Sequence, residues 1–252
     1  MKMKQFSRIA AVFMLGICTA GCVSGQEAAP VSDSIPPETA AAETAEAQQE
    51  LSEEEIIASV IDSGKEQTVC IFTPNGNNGT GFIYDRQYVI TNEHVLYDTD
   101  DFTMQDVNGR EYTGTVIYRD PADDIAVIRA EDMNGSSVIF GDSDALSVGD
   151  TLICIGNPAE GEPFSSCTGR CLELDEALEQ KIDRNRRFIH ADADIVSGYS
   201  GGPVFNMNGE LIGSSTAAYI LDLSAYEFDH LSLIIPISRV REQIETACTQ
   251  QK

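Results

Sequence analysis

From Thr68 onward, short apolar, β-branched or aromatic segments alternate with turns rich in Asn, Gly, Asp and Pro. In chain order the segments are TVCIF, GTGFIYD, YVITN, FTMQDV, REYTGTVIYRD, DIAVIRA, DTLICIG, FIHAD, GPVFN, ELIGSST and LSLIIP. Short strands at this spacing are typical of an all-β sandwich or barrel, and roughly 180 residues suit two small barrels better than one. Asn108-Gly109 predicts a tight hairpin in which both residues have positive φ.

The segment before the first strand has helical periodicity instead. In LSEEEIIASVIDSGK, Ser52 and Glu55 have the spacing of a capping box, and Gly64 stands where the helix is expected to end. The apolar positions form one stripe: Ile56, Ile57, Val60 and Ile61. We therefore expect a short helix to introduce the domain.

The first 21 residues have the pattern of a secretory signal. Lys2, Lys4 and Arg8 precede an apolar run too short for a stable membrane span. The run ends in TAGC, Thr19 to Cys22, which resembles the lipobox of bacterial lipoproteins. Residues 1–21 are thus predicted to be a lipoprotein signal peptide, with Cys22 lipidated. Ordinary cleavage that leaves Cys22 a free thiol, or an uncleaved anchor, are the alternatives.

Residues 22–50 are rich in Ala, Glu, Pro and Ser and contain almost no large apolar side chain. Such a segment cannot bury enough surface to offset the entropy lost on ordering. We predict a disordered tether over 22–50, followed by a folded domain over 51–252. The expected location is extracytoplasmic, with the N-terminal lipid anchoring the chain to a bacterial membrane.

The net charge and the cysteines bear on which partners and cofactors the protein has. The formal charge of the 252 residues is −25, which argues against a nucleic-acid partner. Cys154 fits a buried strand position. Cys167 and Cys171, in CTGRC, have the spacing of a tight disulfide. Alternatively, they would be two ligands of a zinc site, for which the sequence offers no further candidate ligands. We predict no metal and no organic cofactor.

The stretch DADIVSGYSGGPVF places Ser200 among glycines. A serine nucleophile needs a base within hydrogen-bond reach and a group that orients the base. His94, which follows the strand-like YVITN, is a better base than His190 in a strand or His230 in an acidic loop. Asp124 runs straight into an apolar strand and fits the orienting acid, while Asp120 and Asp123 look like solvated turn residues.

Several motifs occur in the order found in trypsin-like serine peptidases of the HtrA/DegP type, and the similarity runs from about Thr68 to Ile244. They are GTGFIY, VITNEHV, NGREYTGTVIYRDPADDIAVIR, VGDTLICIGNP, SGYSGGPVFNMNGELIGSST and LIIPISRV. The resemblance implies two six-stranded antiparallel Greek-key barrels with the active site between them. We expect them at about 66–145 and 146–237, with a C-terminal helix at about 238–249 and no PDZ domain after it.

The same resemblance implies a role for each site residue. His94, Asp124 and Ser200 would form the catalytic triad, and the turn Gly198, Tyr199 and Ser200 would form the oxyanion hole. Gly201 and Gly202 would let the chain turn into the next strand. The family commonly has Asn or Asp where this chain has Tyr199.

The resemblance also implies which substrate side chain is preferred before the cleaved bond. The residue that matters is six positions before the nucleophile, here Asp194. In trypsin an aspartate at that position receives Arg or Lys, whereas HtrA-type peptidases have a small apolar residue and favour aliphatic side chains. Ser214, Ser215 and Thr216 would form the pocket wall. Alternatively, Asp194 turns away to bond backbone or a nearby arginine.

We therefore predict a membrane-tethered serine endopeptidase that acts on protein or peptide substrates. An inactive relative that serves as a binding module or chaperone, and a processing peptidase with one dedicated partner, are the alternatives. The basic run KIDRNRR (181–187) and the acidic DTDDF (98–102) are each interpreted as solvated loops. An acidic partner and a calcium ion, respectively, are their alternatives.

Overall fold

Two β-sheets and two helices make up the part of the chain that the computed structural model describes, namely residues 51–97, 99–130, 133–173, 188–219 and 231–250. The predicted signal peptide and tether lie outside these ranges. Within them, no helix is both long and apolar enough to cross a membrane.

The first sheet is antiparallel and has seven strands in the order β5-β4-β1-β2-β3-β7-β6. The strands are β1 (Thr68–Phe72), β2 (Gly79–Tyr84), β3 (Tyr88–Thr91), β4 (Thr103–Gln105), β5 (Glu111–Tyr112), β6 (Thr115–Asp120) and β7 (Ile125–Arg129). The all-β class is as predicted, but this half has seven paired strands instead of six. The segment REYTGTVIYRD is divided at residues 113–114 into β5 and β6.

The second sheet is a closed six-stranded barrel in the order β10-β13-β12-β11-β8-β9. Its strands are β8 (Thr151–Gly156), β9 (Ser165–Leu172), β10 (Ile189–Ala191), β11 (Pro203–Phe205), β12 (Leu211–Tyr219) and β13 (Leu231–Pro236). The second predicted barrel is therefore present. Strand β9 was not predicted, because its sequence, SSCTGRCL, has few apolar residues. Its half-buried positions alternate with exposed ones over most of its length.

One apolar cluster joins the two sheets. It combines Phe82, Ile90 and Val127 of the first sheet with Ile153 and Phe205 of the barrel, all essentially inaccessible to solvent. Burial of this shared surface fixes the sheets against each other. Loops that meet at the junction are consequently held by both halves.

Helix α1 (Glu53–Lys65) begins with the predicted capping box. The backbone N–H of Ser52 donates to the Glu55 carboxylate at 2.8 Å, and the Ser52 hydroxyl accepts from the Glu55 N–H. The helix ends at Lys65, one residue after Gly64, close to the predicted end. Gly64 also packs closely, because a Cβ on it would lie within 3 Å of side-chain atoms of Ile155 and Phe205.

The turn around Asn108 differs from the predicted two-residue hairpin. Strands β4 and β5 pair Gln105 with Glu111, which leaves a loop of residues 106–110, and of the predicted pair only Gly109 has positive φ (78°). The Asp106 carboxylate accepts the backbone N–H groups of Asn108 and Arg110. The Gly109 N–H also donates to the Asp106 carbonyl at 2.9 Å, so backbone and side-chain acceptors of Asp106 together close this wider loop.

Helix α2 (Ile237–Thr249) packs its buried residues, including Val240 and Ile244, on the shared core. From this helix Arg239 binds the Asp123 carboxylate at 3.0 Å, and the Gln243 amide donates to it at 3.3 Å. The interpretation of Asp123 as a solvated turn residue was wrong, because α2 brings these donors to it. Asp120 does cap its turn, accepting from the N–H groups of residues 122 and 123.

Candidate active site

His94, Asp124 and Ser200 lie in three loops that meet at the junction of the two sheets. His94 belongs to a 3-10 turn, Glu93–Leu96, that follows β3. Asp124 is the last residue of the turn between β6 and β7, and Ser200 lies in the turn between β10 and β11. Residues that are distant in sequence thus reach one place because the two sheets pack together.

The His94 ring faces the Asp124 carboxylate. Its Nδ1 lies 3.0 Å from Oδ1 and 2.9 Å from Oδ2, and the His94 backbone N–H donates to Oδ1 at 3.1 Å. The imidazole is 45% exposed and the carboxylate 20%. A carboxylate on Nδ1 keeps the proton on that nitrogen, which leaves Nε2 as the proton acceptor on the open side.

The Asp124 carboxylate has a second donor. The Thr216 hydroxyl, from β12, donates to Oδ2 at 2.7 Å. Burial acts to raise the pKa of Asp124, but the hydrogen bonds and charge of His94, together with the Thr216 hydroxyl, hold this pKa below its ordinary value. Asp124 is therefore ionised in the folded chain near neutral pH. Sequence reasoning placed Thr216 in the pocket wall and missed this contact.

Asp124 has a left-handed backbone, with φ of 54°. Aspartate tolerates this conformation better than most residues. The side-chain amide of Asn92, which is fully buried, donates to the Asp124 carbonyl at 2.9 Å and holds the peptide in place. Sequence reasoning did not single out Asn92, although it lies two residues before His94 in VITNEHV.

Arg119 fixes the turn that carries His94. Its guanidinium donates to the Glu93 carboxylate at 3.2 Å, to the Leu96 and Thr99 carbonyls at 3.0 and 2.8 Å, and to Asp100 at 2.8 Å. Asp100, from the acidic DTDDF segment, therefore forms an ion pair with Arg119. Among the residues the structure describes, no cluster of three or more acidic, His or Cys side chains is arranged to hold a metal ion.

The Ser200 hydroxyl donates to the Thr216 carbonyl at 3.1 Å. Within the described ranges it forms no hydrogen bond to His94. Rotamer changes of a serine side chain are fast, so this hydrogen bond does not fix the hydroxyl in one orientation.

The turn before Ser200 has the backbone of an anion site. Gly198 has φ of 99°, and a Cβ there would collide with the Asn157 carbonyl. Of the successive N–H groups, that of Tyr199 is taken by the Val196 carbonyl at 3.1 Å. Those of Gly198 and Ser200 have no acceptor among the described residues, so these two donors, without Tyr199, can bind an oxyanion.

The two glycines after Ser200 are required by close approach. Gly201 has φ of 82°, and a Cβ on it would meet the Thr80 carbonyl and the Thr91 hydroxyl. A Cβ on Gly202 would meet the Ile155 carbonyl. The chain passes between the two sheets here, and side chains would push them apart.

Tyr199 replaces the small polar residue common in the resembled family. The residue is 3% exposed, and its ring covers Gly156, where a Cβ would collide with ring atoms. Burial raises the pKa of its hydroxyl, with the neighbouring Cys167 and Cys154 acting in the same direction. The residue supports the turn from within the barrel.

The predicted pocket residues have different surroundings. Asp194 is exposed, whereas Ser214 and Ser215 are almost fully buried, and their hydroxyls have no hydrogen-bond partner among the described residues. Whether these side chains line a substrate pocket stays a prediction. His190 is buried in β10, opposite Leu233, while His230 and the basic run 181–187 lie outside the described residues.

Cys167 and Cys171 lie on one strand, β9, four residues apart. An extended strand separates their Cα atoms by about 13 Å, well beyond the reach of a disulfide. The possible CTGRC disulfide is excluded because this segment is a strand and not a turn. The five cysteines in the described ranges, at positions 70, 154, 167, 171 and 248, are all free thiols.

Known proteins of similar sequence are bacterial serine proteases. The chain is 38% identical over 143 residues to the periplasmic serine endoprotease DegP of Salmonella typhimurium, a match that covers 55% of this chain and 30% of DegP. A DegP-like protein of Chlamydia pneumoniae is 39% identical over 140 residues, covering 55% of this chain and 28% of that protein. The match thus spans less than a third of these relatives.

Solved structures agree on the fold. The HtrA-type protease AlgW with a tripeptide has a TM-score of 0.65 at 24% identity, covering 75% of this chain and 62% of AlgW. An inactive form of the M. tuberculosis protease Rv3671c has a TM-score of 0.61 at 20% identity. The match covers 77% of this chain and 92% of the Rv3671c chain. The family profile described as a trypsin-like peptidase domain matches residues 79–213, which include His94, Asp124 and Ser200. The chain therefore belongs to the trypsin-like peptidase domain family.

Proposed function

We propose that this chain is an exported serine endopeptidase that cleaves peptide bonds in proteins through an acyl-enzyme. Ser200 is the nucleophile, His94 is the general base and later the general acid, and Asp124 orients the imidazole and stabilises the imidazolium. The observation that carries the proposal is the contact of the His94 Nδ1 with both Asp124 oxygens. The N–H groups of Gly198 and Ser200, which have no acceptor among the described residues, support it.

The first chemical step follows from this geometry. The Ser200 hydroxyl leaves the Thr216 carbonyl, turns to Nε2 of His94 and gives up its proton as Oγ attacks the substrate carbonyl. The N–H groups of Gly198 and Ser200 stabilise the resulting oxyanion, and one such donor is worth about 10²- to 10³-fold in kcat. His94 then protonates the leaving amine, and water releases the acyl group by the same steps in reverse order.

The proposed location is extracytoplasmic. The similar proteins are described as periplasmic, and the first 22 residues have the charge and apolar pattern of a lipoprotein signal ending at Cys22. A lipid on Cys22 would anchor the chain to a bacterial membrane, and residues 22–50 would tether the peptidase domain at 51–252. The acidic surface keeps the tethered domain away from anionic headgroups.

The substrate side chain before the cleaved bond is proposed to be Arg or Lys. Asp194 lies in the segment that leads into the Ser200 turn, and the residue is exposed. A substrate cation within a few ångströms would gain Coulomb energy from this carboxylate, and an aliphatic side chain would not.

A specific observation favours one alternative, an inactive relative that binds proteins without cutting them. The Ser200 hydroxyl is hydrogen-bonded to Thr216 and not to His94. If that bond persisted with substrate present, the hydroxyl would keep its proton and Oγ would remain a poor nucleophile. The protein would then be a binding module or chaperone with a peptidase fold.

Labelling with a serine-directed fluorophosphonate separates the two functions. The expected result is stoichiometric labelling of the full chain and none of Ser200→Ala. Ser166→Ala, an exposed serine on β9, is the matched control and should label fully. Equal labelling of wild type and Ser200→Ala, or no labelling of either, would remove the catalytic assignment.

A further inference from the structure

Cys154 and Cys167 face each other across the β8–β9 hairpin. Their Cα atoms are direct partners in the antiparallel register, so both side chains lie on the same face, inside the barrel. Directly opposite residues in such a pair have Cα atoms about 4.5–5.5 Å apart, which is within the range that a disulfide requires. The register therefore meets the Cα condition for a disulfide between them.

The pair lies at the base of a loop that supports the candidate active site. The loop between β8 and β9 contains Asn157, whose N–H donates to the Thr80 hydroxyl, and Ala159, whose N–H donates to the Ser197 carbonyl at 2.9 Å. A link between residues 154 and 167 would close this loop two residue pairs from its start. It would restrain the segment against which Gly198 packs.

The two thiols differ in their surroundings and in their exposure to solvent. A hydrogen bond from the Cys154 thiol, and a weaker contribution from the Tyr199 hydroxyl, hold the pKa of the half-buried Cys167 thiol below its ordinary value. The same bond and complete burial raise the pKa of Cys154. By contrast, burial raises the pKa of Cys70 to about 12. Cys167 is half-buried and Cys154 is fully buried, so Cys167 is the thiol that first meets an oxidant, and Cys154 is positioned to resolve the product.

We infer that Cys154 and Cys167 are the site of a cross-strand disulfide that forms after export into an oxidising compartment. The Cys167 thiolate attacks a disulfide oxidant, such as oxidised glutathione, and releases one thiolate. The Cys154 thiol then loses its proton and displaces the second thiolate, so both cysteines are oxidised and the oxidant is reduced to two thiols. This inference goes beyond the proposed hydrolysis and does not depend on it.

Peptide mapping of the full chain after incubation with oxidised glutathione tests the site. Trypsin leaves both cysteines in one peptide, residues 130–170, because no Lys or Arg lies between Arg129 and Arg170. The expected peptide has lost two hydrogen atoms, and after cleavage at Glu160 its halves stay joined until a reductant is added. The oxidised protein should also melt about 5–10 °C higher than the reduced form.

Cys171→Ala, on the same strand, is the matched control and should retain both the linkage and the rise in Tm, whereas Cys167→Ala and Cys154→Ala should lose both. The Cys167→Ala change is at a half-buried position, so it remains informative if the buried Cys154 variant does not fold. Glutathione attached to Cys167 with no linkage to Cys154, linkage through another cysteine, or an unchanged Tm would each overturn the inference.

Discussion

The side-chain hydroxyl of Thr80 lies 2.7 Å from the carbonyl oxygen of Gly198, although 118 residues separate the two in sequence. The same hydroxyl accepts the N–H of Asn157 at 2.9 Å, and the Thr80 N–H donates to the Ser200 carbonyl at 2.9 Å. One buried residue of the first sheet therefore orients the peptide groups on both sides of the candidate nucleophile.

The first prediction concerns this threonine. Thr80→Val keeps the shape but leaves the Gly198 carbonyl and the Asn157 N–H unpaired, at a cost of about 1–3 kcal/mol for each buried group. We expect kcat/KM to fall about 10- to 100-fold, mainly through kcat, in hydrolysis of a fluorogenic peptide. Thr80→Ser retains the hydroxyl and should restore most of the rate. Wild-type kinetics in Thr80→Val would show that the contact is not needed for catalysis.

The second prediction concerns the candidate triad. His94→Ala and Ser200→Ala should each abolish measurable cleavage of a labelled unfolded protein, and the double variant should lose little more, because triad members act as a unit. Ser166→Ala is again the control. Cleavage that survives in either single variant would point to a different nucleophile or base.

The third prediction is a pH dependence of stability. The pKa of Asp124 is lower in the folded chain than in the unfolded chain, so its ionised form stabilises the fold above the unfolded-state pKa and this stabilisation is lost as pH falls through the folded-state pKa. Wild type should exceed Asp124→Asn in free energy of unfolding at neutral pH, and the difference should shrink only below about pH 4. Urea titrations across this range measure it.

Asp62→Asn, a change on the exposed face of α1, is the matched control for this pH series. It should follow wild type throughout. A difference between wild type and Asp124→Asn that is the same at every pH would mean that ionisation of Asp124 does not contribute to stability.

The fourth prediction concerns specificity. Asp194→Asn removes the charge and nearly keeps the shape, so it should reduce kcat/KM for peptides with Arg or Lys before the cleaved bond while sparing those with Val or Ala. A peptide library measures the ratio. The exposed Glu162→Gln is the charge control. A wild-type profile in which Val, Ala or Ile outranks both basic residues would reject the proposed preference.

The fifth prediction concerns attachment. If Cys22 carries the lipid, Cys22→Ala should release the protein from the membrane fraction or block its processing. Fractionation and the mass of the mature N-terminus provide the measurement, with Cys18→Ala as the control that should remain attached. A Cys22→Ala protein that is normally processed and still fully bound would contradict the lipoprotein assignment.

The sequence by itself determined the elements whose causes are local. Alternating β-branched runs identified eleven strand segments, and the spacing of Ser52 and Glu55 identified the start of α1. A strand such as β9 escaped because its residues are polar and small, and its place in the barrel depends on hydrogen bonds to β8 and β10. The loop at Asn108 was misjudged because the Asp106 carboxylate adds hydrogen bonds to the backbone turn and stabilises a wider, five-residue loop.

Only the tertiary structure decided which groups surround the candidate residues. Sequence order gave no reason to connect Thr80 with Gly198 or Thr216 with Asp124, because each contact depends on how strands distant in sequence pack. The pairing of Cys154 with Cys167 depends on the register of a hairpin whose second strand, β9, the sequence pattern did not identify. A sequence motif shows which residue types the local backbone requires, such as glycine where φ is positive. Hydrogen bonds between elements arise when burial of the shared core fixes the sheets, and no local pattern in the chain encodes their partners.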